Sequence, residues 1–207
     1  MLCMLARFPG LSAIHEYFGR AEVVASSALA AVGAELGDSG LLAAGPLANY
    51  RMVDYPAGSG TCLAHRDFGL LTLVQQDGVA GLEVELAGSF VPVPAGCSVL
   101  LAGWCLHLRS NGRVPAPLHR VARPAARRSS AVVFLAPAKV RCRPHPQDWL
   151  VEPLPGAAPL YRAIAAGQLK ADMAKRWRKR EGTLAPGSPE ESQEEFDPRT
   201  LRIQKEQ

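Results

Sequence analysis

What this sequence lacks narrows its class before any motif is considered. It has no apolar run approaching the roughly 20 residues that a membrane-spanning helix needs. Its first residues, Met1-Leu2-Cys3-Met4-Leu5-Ala6-Arg7, carry neither a basic leading region nor a small-residue cleavage site, so they do not read as a secretory signal. A cytoplasmic protein with no membrane partner is the expectation. Cysteine is scarce and unmatched. The five residues Cys3, Cys62, Cys97, Cys105 and Cys142 are odd in number and contain no Cys-x-x-Cys, which argues against a disulfide framework. Cys62 stands near His65, but no second cysteine is close enough in sequence to suggest zinc. Charge of one sign is not in excess either: Lys and Arg number 23 against 19 Asp and Glu. The basic run from Lys170 to Arg180 is followed by an acidic tail with Glu190, Glu191, Glu194, Glu195 and Asp197. A basic face for nucleic acid is therefore not expected, and the run reads as a solvated helix end.

What is present is ordinary globular composition, 48% hydrophobic and 20% charged, in a chain of 207 residues that suits one domain with extensions. Residues 1–46 form an N-terminal helical segment. Tyr17, Val24, Leu29, Val32 and Leu36 recur at helical spacing between Ser12 and Gly37, and Gly37 suits a helix stop. From Leu47 to Pro137 the pattern changes to short β-like runs: Leu70–Val74, Leu82–Leu86, Phe90–Val93, Ser98–Ala102, Leu118–Val121 and Ala131–Leu135. Ala87-Gly88 falls where a hairpin turn belongs, and the prolines around Val91 suggest an edge. Many short strands with Gly and Pro turns predict a mainly β fold, a sandwich or barrel, with flanking helices. Residues 141–180 comprise a proline-rich segment and a helix expected from Leu160 to Arg180. Residues 181–207 are polar and acidic and are expected to be disordered.

Three short motifs carry chemistry. In His65-Arg66-Asp67 the His and Asp are two apart, so on a strand they share a face and can bind one metal. In Leu118-His119-Arg120-Val121 a His stands among apolar residues, where a core histidine is the commoner reading. Arg128-Ser129-Ser130 heads an apolar run. Each is weak alone. Together, two His and one carboxylate make a facial triad of the kind that holds non-haem iron(II) and leaves three coordination positions open. Arg128 and Ser130, two apart on a later strand, offer a guanidinium fork and a hydroxyl to a carboxylate. Arg127-Arg128-Ser129 is also Arg-x-Ser, so the register is open at this level; counting back from Pro137 favours Arg128. His15, His107 and His145 have no partner at ligand spacing.

In order and spacing these motifs resemble the isopenicillin-N-synthase-like branch of the 2-oxoglutarate/iron(II)-dependent dioxygenases. His119 follows His65 by 54 positions and Arg128 follows His119 by 9. Between and beyond them Gly81-Leu82-Glu83-Val84, Val91-Pro92-Val93-Pro94, Ser110-Asn111-Gly112 and Phe134-Leu135-Ala136-Pro137 match the branch's landmarks. The resemblance implies a double-stranded β-helix, or jelly roll, over residues 47–140. It implies Fe(2+) on His65, Asp67 and His119, and 2-oxoglutarate held through its far carboxylate by Arg128 and Ser130. Tyr55, in Asp54-Tyr55-Pro56, falls where the branch often has a tyrosine beside that cosubstrate. The implied reaction consumes O2, oxidises a small-molecule substrate, most simply by hydroxylation, and releases succinate and CO2.

The chain departs from the branch at Leu101, where an Asn is common, and at Trp104, where an Asp is. The long region that members carry ahead of the core is represented by one helix, which reads as a truncated form, a gene-model fragment or a reduced homologue; an exposed strand edge, with either lowered stability or pairing with itself or a partner, is the expectation. The rival enzyme reading is an oxidase of the same branch that does not use 2-oxoglutarate. The rival outside catalysis is a binding module on an incomplete jelly roll.

Overall fold

The computed structural model describes residues 9–43, 45–138, 148–183 and 201–202. Helix α1 spans Pro9–Leu36. Proline suits a first helical position because its missing N–H would have no intrahelical partner there. Gly37, at φ +67°, ends the helix in a conformation that glycine adopts without penalty, and the Asp38 amide donates back to the Gly33 carbonyl at 2.8 Å. Phe18, Ala21, Ala25 and Leu29 are buried at spacings of three and four, so one stripe of α1 faces inward. A single turn, α2 (Gly40–Ala43), follows and buries Leu41.

The chain then alternates between two sheets. Strands β1 (Leu47–Tyr55), β3 (Leu71–Gln76), β6 (Ser98–Ala102) and β8 (Arg128–Ala136) make the larger one, in the order β1-β8-β3-β6. Strands β2 (Cys62–His65), β4 (Leu82–Leu86), β5 (Ser89–Pro92) and β7 (His119–Val121) make the other, in the order β2-β7-β4-β5. Every pairing within the two sheets is antiparallel. Two four-stranded antiparallel sheets wound from one chain in this alternation are a jelly roll, the fold expected from the sequence. Ala87 and Gly88 both have positive φ, as a two-residue hairpin turn between β4 and β5 requires.

Burial separates into two layers. Leu71, Leu73, Val133 and Leu135 on the larger sheet's outer face pack with Phe18, Ala25 and Leu29 of α1 and with Trp104, Leu106 and Leu108 of a short helix α3 (Trp104–Arg109). Each such fully buried leucine contributes about 1.5–3 kcal/mol. A second, smaller buried cluster holds Tyr55, Val74, Leu82, Leu101, Val121 and Val132, and all of these but Leu101 line a cleft. Leu101, where an Asn is common in the resembled branch, packs into that cluster.

The C-terminal part differs from expectation. Helix α4 runs Ala166–Thr183 and does not begin at Leu160. The preceding residues are taken by β-type pairing. Ile164–Ala165 (β10) pairs with Leu150–Val151 (β9), Tyr161 bridges to Arg202, and the Arg162 amide donates to the Leu201 carbonyl. With those backbone groups already satisfied, the helix starts only at Ala166, whose amide goes to the Trp149 carbonyl. Of the remaining tail, 184–200 and 203–207 lie outside the described residues, as do Cys3, Cys142 and His145.

Candidate active site

His65 closes β2 and His119 opens β7, and the two are register partners across that pair of strands. Their rings lie 4.4 Å apart between centroids. Strand β2 ends at His65, so Asp67 does not share a face with it by strand alternation. It sits in the loop leading to β3 and is turned inward by other means. Its backbone carbonyl accepts the Trp104 amide at 2.8 Å, which caps the start of α3 onto this loop. Gly69 and Gly103 permit that approach, since a Cβ on Gly103 would stand 2.2 Å from the Gly69 carbonyl oxygen.

The three side chains converge. Nε2 of His65 is 3.5 Å from Asp67 Oδ1, Nε2 of His119 is 3.8 Å from Asp67 Oδ2, and one ligand atom from each lies within 4.8 Å of the others. On the far side of each ring Nδ1 donates to a nearby backbone carbonyl, Leu63 at 2.7 Å for His65 and Pro117 at 3.2 Å for His119. That second contact fixes ring orientation and leaves both Nε2 atoms facing the carboxylate, the usual support for a metal-binding imidazole. Asp67 Oδ2 is buried and accepts no hydrogen bond. An orphaned carboxylate oxygen between two imidazole nitrogens is what a divalent cation would complete, so this donor set fits an iron(II) ion.

Protonation agrees with that geometry. Burial pushes the Asp67 carboxyl up, but the hydrogen bond from His65 and the neighbouring His119 outweigh it and hold the pKa below the usual carboxylate value. Burial lowers His65 too; the Asp67 carboxylate and the Cys62 sulfur, 3.9 Å from Nδ1, reverse this and bring it to about 10. His119 stays lowered, chiefly by burial.

Arg128 and Ser130 open β8 and point into the cleft, while Ser129 between them faces outward. Arg127 is exposed and forks onto Asp54 at 2.8 and 3.0 Å. Arg128 is 0% exposed. Nη2 donates to Gln76 Oε1 at 3.2 Å, its Cζ lies 5.1 Å from the Tyr55 ring centroid, and Nε and Nη1 have no partner. Among the described residues Arg128 meets no carboxylate. Gly81, at φ +154°, lets the Arg128 side chain pass, since a Cβ there would stand 3.2 Å from Arg128 Cδ. Tyr55 is buried opposite Arg128 in the β1–β8 pairing, and its hydroxyl is hydrogen-bonded to Ser130; burial raises its pKa.

Sequence reasoning passed over three supporting residues. Gln76 offers both N–H groups to the Pro94 and Cys97 carbonyls, 3.3 and 3.2 Å, so its Oε1 must face Arg128. Asp77 accepts the Ser129 amide and pins the start of β8. Thr72, almost fully buried, hydrogen-bonds the Asp67 carboxylate. None is legible as a motif, although Thr72 and Gln76 stand on inner-facing or terminal positions of β3 and Asp77 directly follows it. His107, by contrast, is held between the Val114 carbonyl and the Tyr161 hydroxyl, outside the cleft.

The comparisons with known proteins meet this geometry. Residues 47–137 match the model of the 2OG-Fe(II) oxygenase superfamily, a span that runs from the first residue of β1 to just past β8. Over this stretch the chain is similar to that superfamily. The chain is 33% identical to gibberellin 3-beta-dioxygenase 1 of Pisum sativum over 120 residues, 56% of this chain and 31% of that protein. It is 36% identical to deacetoxycephalosporin C synthase of Amycolatopsis lactamdurans over 85 residues, 35% of this chain and 27% of that protein. The matches therefore span less than a third of these relatives. A solved dioxygenase for auxin oxidation from rice superposes with a TM-score of 0.61 at 28% identity, covering 89% of this chain and 62% of that one. A full-length Neurospora crassa protein solved in complex with alpha-KG shares the fold with a TM-score of 0.64 at 20% identity, covering 80% of this chain and 56% of that one.

Proposed function

We propose that this chain is an iron(II)- and 2-oxoglutarate-dependent oxygenase that hydroxylates a small organic substrate, with one oxygen atom entering that substrate and the other entering succinate as CO2 leaves. Arg128 carries this reading. A guanidinium removed from water without a counter-charge costs several kcal/mol, and the fold bears that cost beside a three-ligand metal site. A dianionic 2-oxo acid relieves it. Iron and 2-oxoglutarate together would supply the oxidising power.

The residues of the chain have four tasks in this proposal. His65, Asp67 and His119 would hold the metal through two imidazole nitrogens and a carboxylate oxygen. Arg128 and Ser130 take the far carboxylate of 2-oxoglutarate, with Tyr55 closing the wall beside it and orienting the Ser130 hydroxyl. Gln76 and Thr72 position Arg128 and Asp67. Val74, Leu82, Val121 and Val132 exclude water from the space between. A cytoplasmic setting without a nucleic-acid partner belongs to the same proposal; no helix among the described residues is long and apolar enough to cross a membrane.

The test is to load the protein anaerobically with iron(II) and 2-oxoglutarate, admit oxygen with a metabolite panel, and measure succinate. Succinate formation that requires both additions is expected. Oxygen uptake with no succinate would instead place a substrate carboxylate on Arg128, as in a same-branch oxidase.

A further inference from the structure

The cleft holds a second arginine that these tasks leave unused. Along β1 the inward positions are Arg51, Val53 and Tyr55, and along β8 they are Arg128, Ser130, Val132 and Phe134. The register sets their order from one end of the cleft to the other: Tyr55 lies opposite Arg128, Val53 opposite Ser130 and Arg51 opposite Val132. Phe134 lies further on, opposite Thr72 of β3, and Thr72 is the residue whose hydroxyl meets Asp67. Phe134 therefore lies on the metal side of the cleft, and Arg51, opposite Val132, stands nearer to it along the sheet than the Tyr55–Arg128 pair does. The Arg51 guanidinium stands at the Phe134 end, with Cζ 5.6 Å from that ring's centroid.

Charge isolates Arg51 further. The charged side chains lining the cleft are Arg51, Asp67, Arg120 and Arg128, with the two metal-facing histidines. Arg120 is neutralised by Glu83 at 2.6 Å. Arg66, nearby in sequence, turns away: its Nε donates to the Ala116 carbonyl and its guanidinium lies over Trp104. A divalent metal, Asp67, Arg128 and a doubly negative 2-oxo acid sum to zero. Arg51 forms no ion pair among the described residues and remains as an uncompensated cation on the metal side, laid on an aromatic face that leaves its N–H edge available.

We infer that Arg51 is the specificity-determining residue for the organic substrate, and that it receives an anionic group of that substrate, a carboxylate, while Phe134 packs against the adjoining carbon frame. The inference rests on the oxygenase reading, because Arg128 must be occupied by the cosubstrate for Arg51 to be the free cation. The substrate class is a mono-anionic organic acid whose oxidised carbon lies within a few bonds of its carboxylate. Neutral analogues forfeit the charge-assisted contact.

The test uses the full chain loaded anaerobically with manganese(II) and saturating 2-oxoglutarate, so that Arg128 is taken. The probes are phenylacetate, indole-3-acetate and cyclohexylacetate, each paired with its neutral amide, and binding is read by titration calorimetry. At least tenfold tighter binding of the acids is expected. Arg51→Gln should erase the preference and Arg51→Lys should keep most of it, with melting temperature and affinities for metal and 2-oxoglutarate unchanged. A parent protein that shows no acid-over-amide preference in any pair, or a preference that survives Arg51→Gln, overturns the inference. Metal and 2-oxoglutarate binding are measured in the same titrations and acid preference is repeated on the metal-free chain. A failure of the oxygenase reading is thereby seen separately from a failure of Arg51.

Discussion

Arg127 and Arg128 are chemically identical neighbours with opposite surroundings. Strand alternation sends the first to solvent, where Asp54 meets it, and the second into the cleft, where two of its nitrogens find no partner. The sequence left the two registers open; only the pairing of β8 with β1 and β3 separates them. Arg128→Ala is expected to weaken 2-oxoglutarate binding by about 2–5 kcal/mol, the usual loss for one side of a desolvated charge pair. Arg127→Ala should stay within about 0.5 kcal/mol, as surface changes generally do. Calorimetric titration of 2-oxoglutarate into both variants decides it, and equal losses would remove Arg128 from the cosubstrate site. The ligand trio was legible because metal coordination restricts residue type so severely. Gln76 and Thr72 were not, because an amide or hydroxyl on a strand has many roles and only the fold shows which carbonyls and carboxylates it meets.

His65 also sets a pH dependence. Its pKa in the metal-free protein lies above that of free imidazole, at about 10, so the His65–Asp67 contact contributes stability that is fully present below the unfolded value of 6.5 and is lost as pH rises through about 10. A metal needs the neutral ring. Iron(II) binding between about pH 6.5 and 8.5 should therefore release about one proton and strengthen close to tenfold per pH unit. Titrations in two buffers of different ionisation enthalpy would count that proton; none released would mean His65 is already neutral.

At the scale of elements, the strands with regular alternation or an unbroken apolar run were readable, as β4 and β6 show by matching their expected limits. Strand β1 was readable only as part of a broad β region. It carries Asn49, Arg51 and Asp54 because one face meets a polar cleft and it ends the larger sheet. The start of α4 was misplaced because Leu201 and Arg202, remote in sequence, capture the backbone of Tyr161 and Arg162. Asp38 and Arg109 make a comparable long-range tie. The guanidinium forks onto a 4% exposed carboxylate at 2.7 and 2.8 Å, joining the end of α1 to α3, and it holds the Asp38 carboxyl below the usual range. Arg109→Ala leaves that buried carboxylate without its counter-charge, held only by backbone amides such as that of Gly40, and should cost about 3–5 kcal/mol. Denaturant unfolding would show it, and an undiminished midpoint would mean water replaces the guanidinium at no cost. Asp38 contributes its stability above the unfolded carboxylate value and loses it as pH falls through the lower folded one.

The free edge of β1, with Leu47 and Met52 exposed along it, is the place for the proposed self-association. Light scattering should find a mass that grows with concentration and falls to one chain in Met52→Lys, since edge lysines oppose strand pairing. A parent that stays monomeric at every concentration ends that proposal.

For the whole molecule, the layers explain why so polar a site can be built in so small a core. The helices bury the outer face of the larger sheet and supply most of the apolar packing. The inner faces are thereby free to carry two histidines and a buried arginine, with the Asp67 loop turned in between them. Sequence pattern conveyed this architecture through its order of short strands, but not how the two sheets face each other, which depends on pairings between residues far apart in the chain. The most direct test of the central claim is an anaerobic titration of iron(II) into the parent and into Asp67→Ala, followed by calorimetry. One iron per chain in the parent and none in the variant is the predicted result; a parent that binds no iron, or a variant that binds it as tightly, would contradict the site.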